Sequence, residues 1–170
     1  MRQIDYSSDK RIKVEGLPLE SLDTEYQAGI VRISVLIDDA WVEKQVLVAK
    51  DAVAGDSFGY SVAISGGGHT IAVAAPRRDI AGCFNCGIIY VYSYVDNEWR
   101  LEDKLRDPDR VSFAMLGNNL TISQDGKTIT ASYNKSKHSG PGHHTFQKQR
   151  VKWHKVTPVG NSFLQNLTFS

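Results

Sequence analysis

Histidine is the residue type in this sequence with the clearest potential for metal chemistry. His138, His143 and His144 fall within seven residues, and imidazole is a common ligand of transition metals. The spacer at residues 139–142 is Ser-Gly-Pro-Gly, which is flexible, and no carboxylate or thiol joins the three imidazoles. We therefore interpret the cluster as part of a solvated loop, and we expect no metal and no cofactor.

Catalytic patterns are the next candidates. Nucleophilic catalysis needs a nucleophile beside a base, but the sequence contains no Gly-x-Ser-x-Gly turn, and its serines fall in turn or strand patterns. Gly66, Gly67 and Gly68 could cradle a phosphate only if a helix followed them, and no helix pattern follows. The sequence thus predicts no catalytic residue, and we expect a protein that is not an enzyme.

The two cysteines, Cys83 and Cys86, have the spacing of a redox motif. Such a motif needs its first cysteine at a helix N-terminus, where the helix dipole stabilises the thiolate. The flanks here are strand-like, so we interpret the pair as a solvated loop tip. A local disulfide in an oxidising compartment stays open, and a four-cysteine zinc site is excluded by the cysteine count.

A repeat with a period of 58 residues must position all these side chains. Gly29 and Gly87 each begin a β-branched run, and Trp41 and Trp99 each follow twelve residues after their glycine. The segment from Ile64 to Ile71 is echoed by the segment from Ile122 to Ile129, and a worn third copy lies at the N-terminus. Fixed-period self-similarity is the signature of a repeat architecture.

Each repeat predicts four strands, because alternating or β-branched runs are separated by Gly, Asn and Asp turns. The chain is therefore predicted to be all-β, with three tandem four-stranded antiparallel blades of the β-propeller type. We expect one repeat domain over residues 1–170, with blades at 1–50, 51–108 and 109–170. The predicted strands are Arg2–Tyr6, Arg11–Val14, Ile30–Ile37 and Trp41–Val48; Tyr60–Ile64, Thr70–Ala75, Ile88–Val95 and Trp99–Leu105; and Asn119–Ser123, Thr128–Tyr133, Gln149–Val156 and Phe163–Phe169.

Residues 55–105 resemble the FG-GAP repeat of integrin-α-like propellers. Phe58-Gly59 matches its first element, Ala74-Ala75-Pro76 stands in place of Gly-Ala-Pro, and Gly87 and Trp99 match its later strands. In the third repeat, Phe113-Ala114 takes the place of Phe-Gly and residues 131–133 replace the Ala-Pro end. Many family members bind calcium between the first two strands, but the turns here offer too few oxygen ligands, so no calcium is expected. The resemblance implies an adhesion or recognition role.

The longest loops are predicted to share one face of the blades, and binding residues concentrate on such loops. They are Gly16–Ala28, Arg77–Cys86 and Asn134–Lys148. Residues 109–170 also carry 8 Lys and Arg against 2 Asp and Glu, whereas residues 1–108 carry 12 against 17. An acidic protein, another copy of the chain or an anionic glycan would suit this face, while nucleic acid is not expected because no stacking aromatics are interleaved. The predicted partner-binding residues are Arg77, Arg78, Asp79, Lys135, Lys137, His143 and His144.

Three blades are too few to close a ring, since propellers have about four or more. We expect open ends with unpaired apolar faces, and hence assembly: two chains closing a six-bladed ring, or docking into a larger particle such as a viral shell. A piece of a longer propeller is a further alternative. The predicted function is a non-enzymatic interaction or structural module. A carbohydrate-binding or propeller-type hydrolase domain is the alternative, with Asp56 and Asp79 as its nearest carboxylates.

Targeting signals are weak. No run approaches the roughly 18 apolar residues of a membrane helix, so no membrane insertion is expected, and residues 1–5 lack a signal-peptide pattern. The compartment stays unassigned, although an extracellular or particle-associated setting is favoured. Asn119, Asn134 and Asn166 begin N-glycosylation sequons whose use is open.

Overall fold

The computed structural model describes residues 2–20, 28–51, 53–134 and 141–156. Within these ranges the chain forms three four-stranded antiparallel sheets and no helix, which confirms the predicted fold class. In each sheet the strands are adjacent in chain order, as in a propeller blade, and the three sheets do not close into a ring. The strands are β1 (Gln3–Tyr6), β2 (Ile12–Leu17), β3 (Ile30–Ile37) and β4 (Ala40–Leu47) in the first sheet; β5 (Ser61–Ile64), β6 (Thr70–Ala75), β7 (Ile88–Val95) and β8 (Glu98–Leu105) in the middle sheet; and β9 (Leu120–Ile122), β10 (Thr128–Asn134), β11 (Pro141–Gln149) and β12 (Lys152–Val156) in the third sheet.

The strand predictions hold closely in the first two sheets, where the largest difference is that β2 continues through Gly16 to Leu17. In the third sheet the first two predicted strands match β9 and β10, but the prediction of the last two strands is wrong. Its third strand is β11, which occupies much of the predicted loop 134–148, and its fourth strand is β12. The predicted strand Phe163–Phe169 and the sequon residue Asn166 lie outside the described residues.

A shorter connection explains this error. Trp153 of β12 is buried where Trp99 lies in the middle sheet, but the two are 54 residues apart instead of 58. The loop between the second and third strands has therefore lost four residues, and the register pairs Ala131 with His144 and Ile129 with Phe146. The alternation of Phe146 with polar neighbours fits this strand.

The three hairpin turns between the first two strands of each sheet meet at one end of the molecule. Ser8 N–H donates to Gly66 O at 2.9 Å, and Gly66 N–H donates to Gln124 O at 3.1 Å. The Ser8 hydroxyl also donates to the Gln124 side-chain oxygen at 2.8 Å. These three residues are spaced by 58, so the sequence repeat reappears as a hydrogen-bonded row that joins all three sheets.

The seam between the first and middle sheets is rich in aromatic side chains. Phe58 is fully buried, and its ring meets Tyr90 edge-on at 5.3 Å and Tyr92 at 6.4 Å between centroids. Val31 and Ile33 of β3 cover this cluster from the first sheet. Burying such side chains stabilises the folded chain by about 1.5–3 kcal/mol each.

The seam between the middle and third sheets is built on small side chains. Ala72 and Ala74 of β6 face this seam, where Leu116, Phe146 and Trp153 pack against them. The middle sheet is thus covered on both faces, which explains why β5, β6 and most of β7 are buried.

The outward face of the third sheet is polar, so the expectation of an apolar open end is wrong at this end of the chain. Thr130 and Thr145 are opposite each other, with their hydroxyl oxygens 3.4 Å apart, and Gln147 is paired with His154. Because successive side chains alternate between faces, turning Phe146 and Trp153 into the seam leaves these polar residues outside.

The outward face of the first sheet mixes aromatic and charged side chains. The rings of Tyr6 and Trp41 are 5.9 Å apart, and the Lys13 ammonium lies 5.0 Å from the centre of the Trp41 ring. Arg32 and Glu43 form an ion pair at 3.5 Å. In the described part of the chain, no helix is long and apolar enough to cross a membrane.

Candidate functional site

A cavity of ≈ 400 Å³ opens between the loop that joins β6 to β7 and the connector that leads into the middle sheet. It lies on what we call the loop face, formed by residues 77–87 and by the described parts of the connectors 48–60 and 106–119. The cavity therefore lies where blade loops concentrate on a rigid scaffold. Its lining residues are Val53, Ala54, Gly55, Asp56, Arg77, Arg78, Asp79 and Asn85.

Arg78 organises the floor of this cavity. Its guanidinium donates to Asp56 Oδ2 at 2.6 Å and to Asp51 Oδ2 at 3.3 Å. Asp56 is buried and also accepts the Val53 N–H at 2.9 Å. Arg78 therefore ties the connector to the start of the loop after β6. Its positive charge is neutralised by the two aspartates of the connector.

Asp51 is a second anchor of the same connector. It accepts from the Tyr90 hydroxyl of β7 at 3.2 Å and lies 2.9 Å from the Lys104 ammonium of β8. Partial burial opposes ionisation, but Lys104 and Arg78 outweigh it and hold the pKa of Asp51 below its usual value. Burial, helped by the Asp51 charge, raises the pKa of Tyr90, so its hydroxyl keeps the proton that it donates.

Arg77 and Asp79 differ from Arg78 in their surroundings. Asp79 accepts the Asn85 N–H at 2.7 Å and so braces the loop between β6 and β7. Arg77 is exposed at the cavity wall, and among the described residues no carboxylate pairs with it. Arg77 is consequently the cavity cation that is available to an outside group.

Cys83 and Cys86 form a disulfide across this loop, with their Cα atoms 5.9 Å apart. Both cysteines are buried, so the interpretation as a solvated loop tip is wrong for them. Ile80 and Cys83 exchange two backbone hydrogen bonds within the same loop. The exposed tip is Phe84.

The third sheet has an anchor that corresponds to Asp51. The buried Asp107 accepts from Lys155 of β12 at 2.8 Å and lies 3.1 Å from Nε2 of His144 in β11. Although burial favours the neutral carboxyl, Lys155 and His144 hold the pKa of Asp107 below its usual value. In the middle and third sheets alike, side chains of the third and fourth strands contact an aspartate of the connector that precedes the sheet.

The predicted partner-binding residues fall into three groups. Arg77, Arg78 and Asp79 lie together at the cavity. His144 is buried in the seam, stacked on Tyr133 at 4.2 Å, whereas His143 is exposed on the opposite face of β11, so the loop placement predicted for both is wrong. Lys135 and Lys137 lie outside the described residues, as does His138 of the histidine cluster.

Sequence reasoning missed Asp51 and Asp107 as anchors. A signal was present, because Lys50-Asp51 and Arg106-Asp107 are basic-acidic pairs 56 residues apart, each just ahead of a blade. The residue 58 positions after Asp51 is Asp109, not Asp107. Asp109 is a weaker partner, exposed and 3.4 Å from the Lys155 ammonium.

The Phe-Gly element of the third sheet is also displaced from its predicted position. Leu116-Gly117, 58 residues after Phe58-Gly59, makes the matching backbone contacts, and Leu116 is fully buried. Phe113, which was predicted to fill this place, is exposed. The spacing was thus a better guide than the residue type.

These features define the class of the fold: a chain of three four-stranded antiparallel sheets of the β-propeller type. The FG-GAP repeat family model matches residues 41–92, which confirms the resemblance in that segment. The match covers less than a third of the chain and ends within β7.

A solved structure of a prolyl endopeptidase, a protein that contains a propeller, is similar in fold. It shares 11% sequence identity with this chain at a TM-score of 0.52, over 92% of this chain and 21% of that one. This chain thus spans about a fifth of that protein, and at this identity the likeness concerns the fold alone. A search of curated proteins gives no match.

Proposed function

We propose that this chain is a non-enzymatic interaction module that binds a protein partner through its loop face. The FG-GAP match over residues 41–92 and the propeller-like fold both suggest such a module. The observation that carries the proposal is the cavity, where the exposed Arg77 stands beside an Arg78 that is neutralised by Asp51 and Asp56. An exposed cation that no carboxylate of the described chain pairs with, at the wall of a cavity, suits a carboxylate of a partner.

The same arrangement supports a binding role over catalysis. A hydrolase would need carboxylates free to act as acid, base or nucleophile. At this cavity Asp56 is engaged by Arg78, and Asp51 by Arg78, Lys104 and Tyr90. Asp79 accepts the backbone N–H of Asn85 in its own loop. The carboxylates nearest the cavity thus serve as structural anchors.

We further propose that the module works as a component of a larger assembly, of which an extracellular or virus-like particle is one setting. The outward face of the first sheet carries the exposed side chains Ile4, Trp41 and Val46, which a neighbouring subunit could cover. The Cys83–Cys86 disulfide supports an oxidising setting. Sedimentation at increasing concentration should show self-association, and a monomer at all concentrations would remove this part of the proposal.

The partner can be found by copurification from the native source and identified by mass, and its affinity for the purified chain can then be measured. Arg77→Glu should weaken binding about tenfold or more, because it places a like charge against the partner's carboxylate. Arg150→Glu is a matched control, since Arg150 is exposed in the turn between β11 and β12 at the opposite end of the blades. Equal affinities for both variants would move the site away from the cavity.

A further inference from the structure

Two exposed phenylalanines stand on the loop face beside the cavity. Phe84 is 62% exposed in the disulfide loop, and Phe113 is 61% exposed in the connector between β8 and β9. The other described phenylalanines, Phe58 and Phe146, are buried. We call Phe84 and Phe113 the aromatic tip.

Backbone contacts hold the two parts of the aromatic tip together. Phe113 N–H donates to Phe84 O at 2.7 Å, and Phe84 N–H donates to the Ser112 hydroxyl at 3.2 Å. Both side chains therefore project from paired segments that are close in space. The nearby Val111 is also exposed, which extends the apolar surface.

Backbone hydrogen bonds and the disulfide hold the aromatic tip in place in the free chain. Next to the Phe113 contact, Met115 N–H donates to Asn85 O and Leu116 N–H donates to Cys86 O, both at 2.9 Å. The disulfide closes the loop on one side, and Leu116 is buried in the seam on the other. A preorganised surface loses little conformational entropy on binding, which favours affinity.

The backbone at Phe113 has an unfavourable conformation, although the Phe113 side chain is not buried. Its φ is 64°, a region that bulky residues rarely occupy. Phe113 does not fill the Phe-Gly position, because Leu116 does, and its ring stays in solvent. An exposed aromatic on a strained backbone is typical of a contact residue.

We propose that the aromatic tip is the anchor for a protein segment that carries an apolar side chain close to an aspartate or glutamate. The apolar side chain would pack on Phe84 and Phe113, while the carboxylate would reach Arg77. Asn85 links the two features, because it follows Phe84 and lines the cavity that Arg77 also lines. This inference rests on the proposed function and names the chemistry of its partner.

A random 12-residue peptide library displayed on phage, selected against the disulfide-intact chain, tests the inference. We expect enriched peptides to carry an apolar residue within about three positions of Asp or Glu. A synthetic peptide from this set should bind at least tenfold more weakly to Phe84→Ser and to Phe113→Ser, as expected for interface anchors. Phe84→Leu should retain most of the affinity, and Val151→Ser, at a site 79% exposed in the β11–β12 turn, should change nothing.

The outcomes separate this inference from the proposed function. Peptides that lose affinity with Arg77→Glu but bind both Phe→Ser variants normally would overturn the aromatic tip and leave the cavity as the site. A library without any binder would overturn the inference. The proposed function would still be tested by the affinity of the copurified partner for the Arg77→Glu variant. Cosedimentation with phosphatidylserine vesicles that is lost in Phe84→Ser, without peptide binding, would replace the protein segment by a lipid surface.

Discussion

The two seams between the three sheets use the same backbone joint with different side chains. At the first seam, Phe58 N–H donates to Ala28 O at 2.8 Å and Gly59 N–H donates to Ala74 O at 3.0 Å. At the second seam, Leu116 and Gly117 make the matching bonds to Cys86 O and Ser132 O, at 2.9 and 2.8 Å. What repeats is therefore the main-chain connection, whereas the side chain that it carries into the seam can vary.

The side chains differ because the middle sheet presents large residues to one neighbour and small residues to the other. Tyr90 and Tyr92 fill the first seam around Phe58, while Ala72 and Ala74 leave the second seam to be filled by Trp153 from the third sheet. The connectors that precede the two sheets also differ. Ahead of the middle sheet, Asp51 and Asp56 both pair with Arg78, whereas ahead of the third sheet Asp107 is the main partner of Lys155.

The largest expected effect comes from adding a side-chain carbon at the backbone joint of the second seam. Gly87 has φ +83°, and a Cβ there would strike the backbone oxygen of Leu116. Gly87→Ala should destabilise the chain by more than about 3 kcal/mol, because strain and a backbone clash add. Gly82→Ala is the matched control, since Gly82 has φ +78° with open space around its Cβ position and should cost about 1–2 kcal/mol. Equal urea midpoints would show that the joint tolerates expansion.

The connector anchors come next. Asp107→Asn should lower the free energy of unfolding by about 2 kcal/mol, because it leaves Lys155 and His144 without their carboxylate. Asp109→Asn, at an exposed carboxylate 3.4 Å from the same ammonium, should cost less than about 0.5 kcal/mol. If urea unfolding gives both variants the same loss, Asp107 is no special anchor.

A smaller loss of stability should distinguish Phe58, which lies in a joint, from Phe113, which was predicted to lie in one. Phe58→Leu makes the first joint resemble the second, and it should cost about 1–2 kcal/mol because the edge-on contacts with Tyr90 and Tyr92 are lost. Phe113→Leu should stay within about 0.5 kcal/mol, since Phe113 is exposed. Thermal unfolding distinguishes them, and a reversed order would restore Phe113 to the joint.

The smallest effect is a dependence on pH. The pKa of Asp107 in the folded chain is below the ordinary 3.8, so its contribution is present above about pH 4 and is lost as the pH falls through the lowered pKa. The stability difference between the wild type and Asp107→Asn should therefore narrow on acidification below pH 4. A difference that stays constant down to pH 2 would mean that the carboxylate charge contributes nothing.

The sequence predicts the first two sheets well because their period, glycines and tryptophans stay in step. In the third sheet it places the first two strands correctly but misplaces the Phe-Gly element and the last two strands. The joint requires Gly117 and a buried apolar residue, not a phenylalanine, so Phe113 was a misleading match. The loop before β11 is also four residues shorter than its counterpart in the middle sheet. Trp153 therefore departs from the period of 58, and His144 falls on a strand position that faces the seam. The Asp51 and Asp107 anchors depend on which strands face a connector, and spacing alone does not supply that.

Hydrogen–deuterium exchange of the chain with its identified partner tests whether the loop face is the binding surface. Binding at the loop face should slow exchange at residues 77–87 and 110–116 in the complex and leave residues 143–149 and 152–156 unchanged. Protection confined to β11 and β12, with the loop face exchanging as in the free chain, would contradict it.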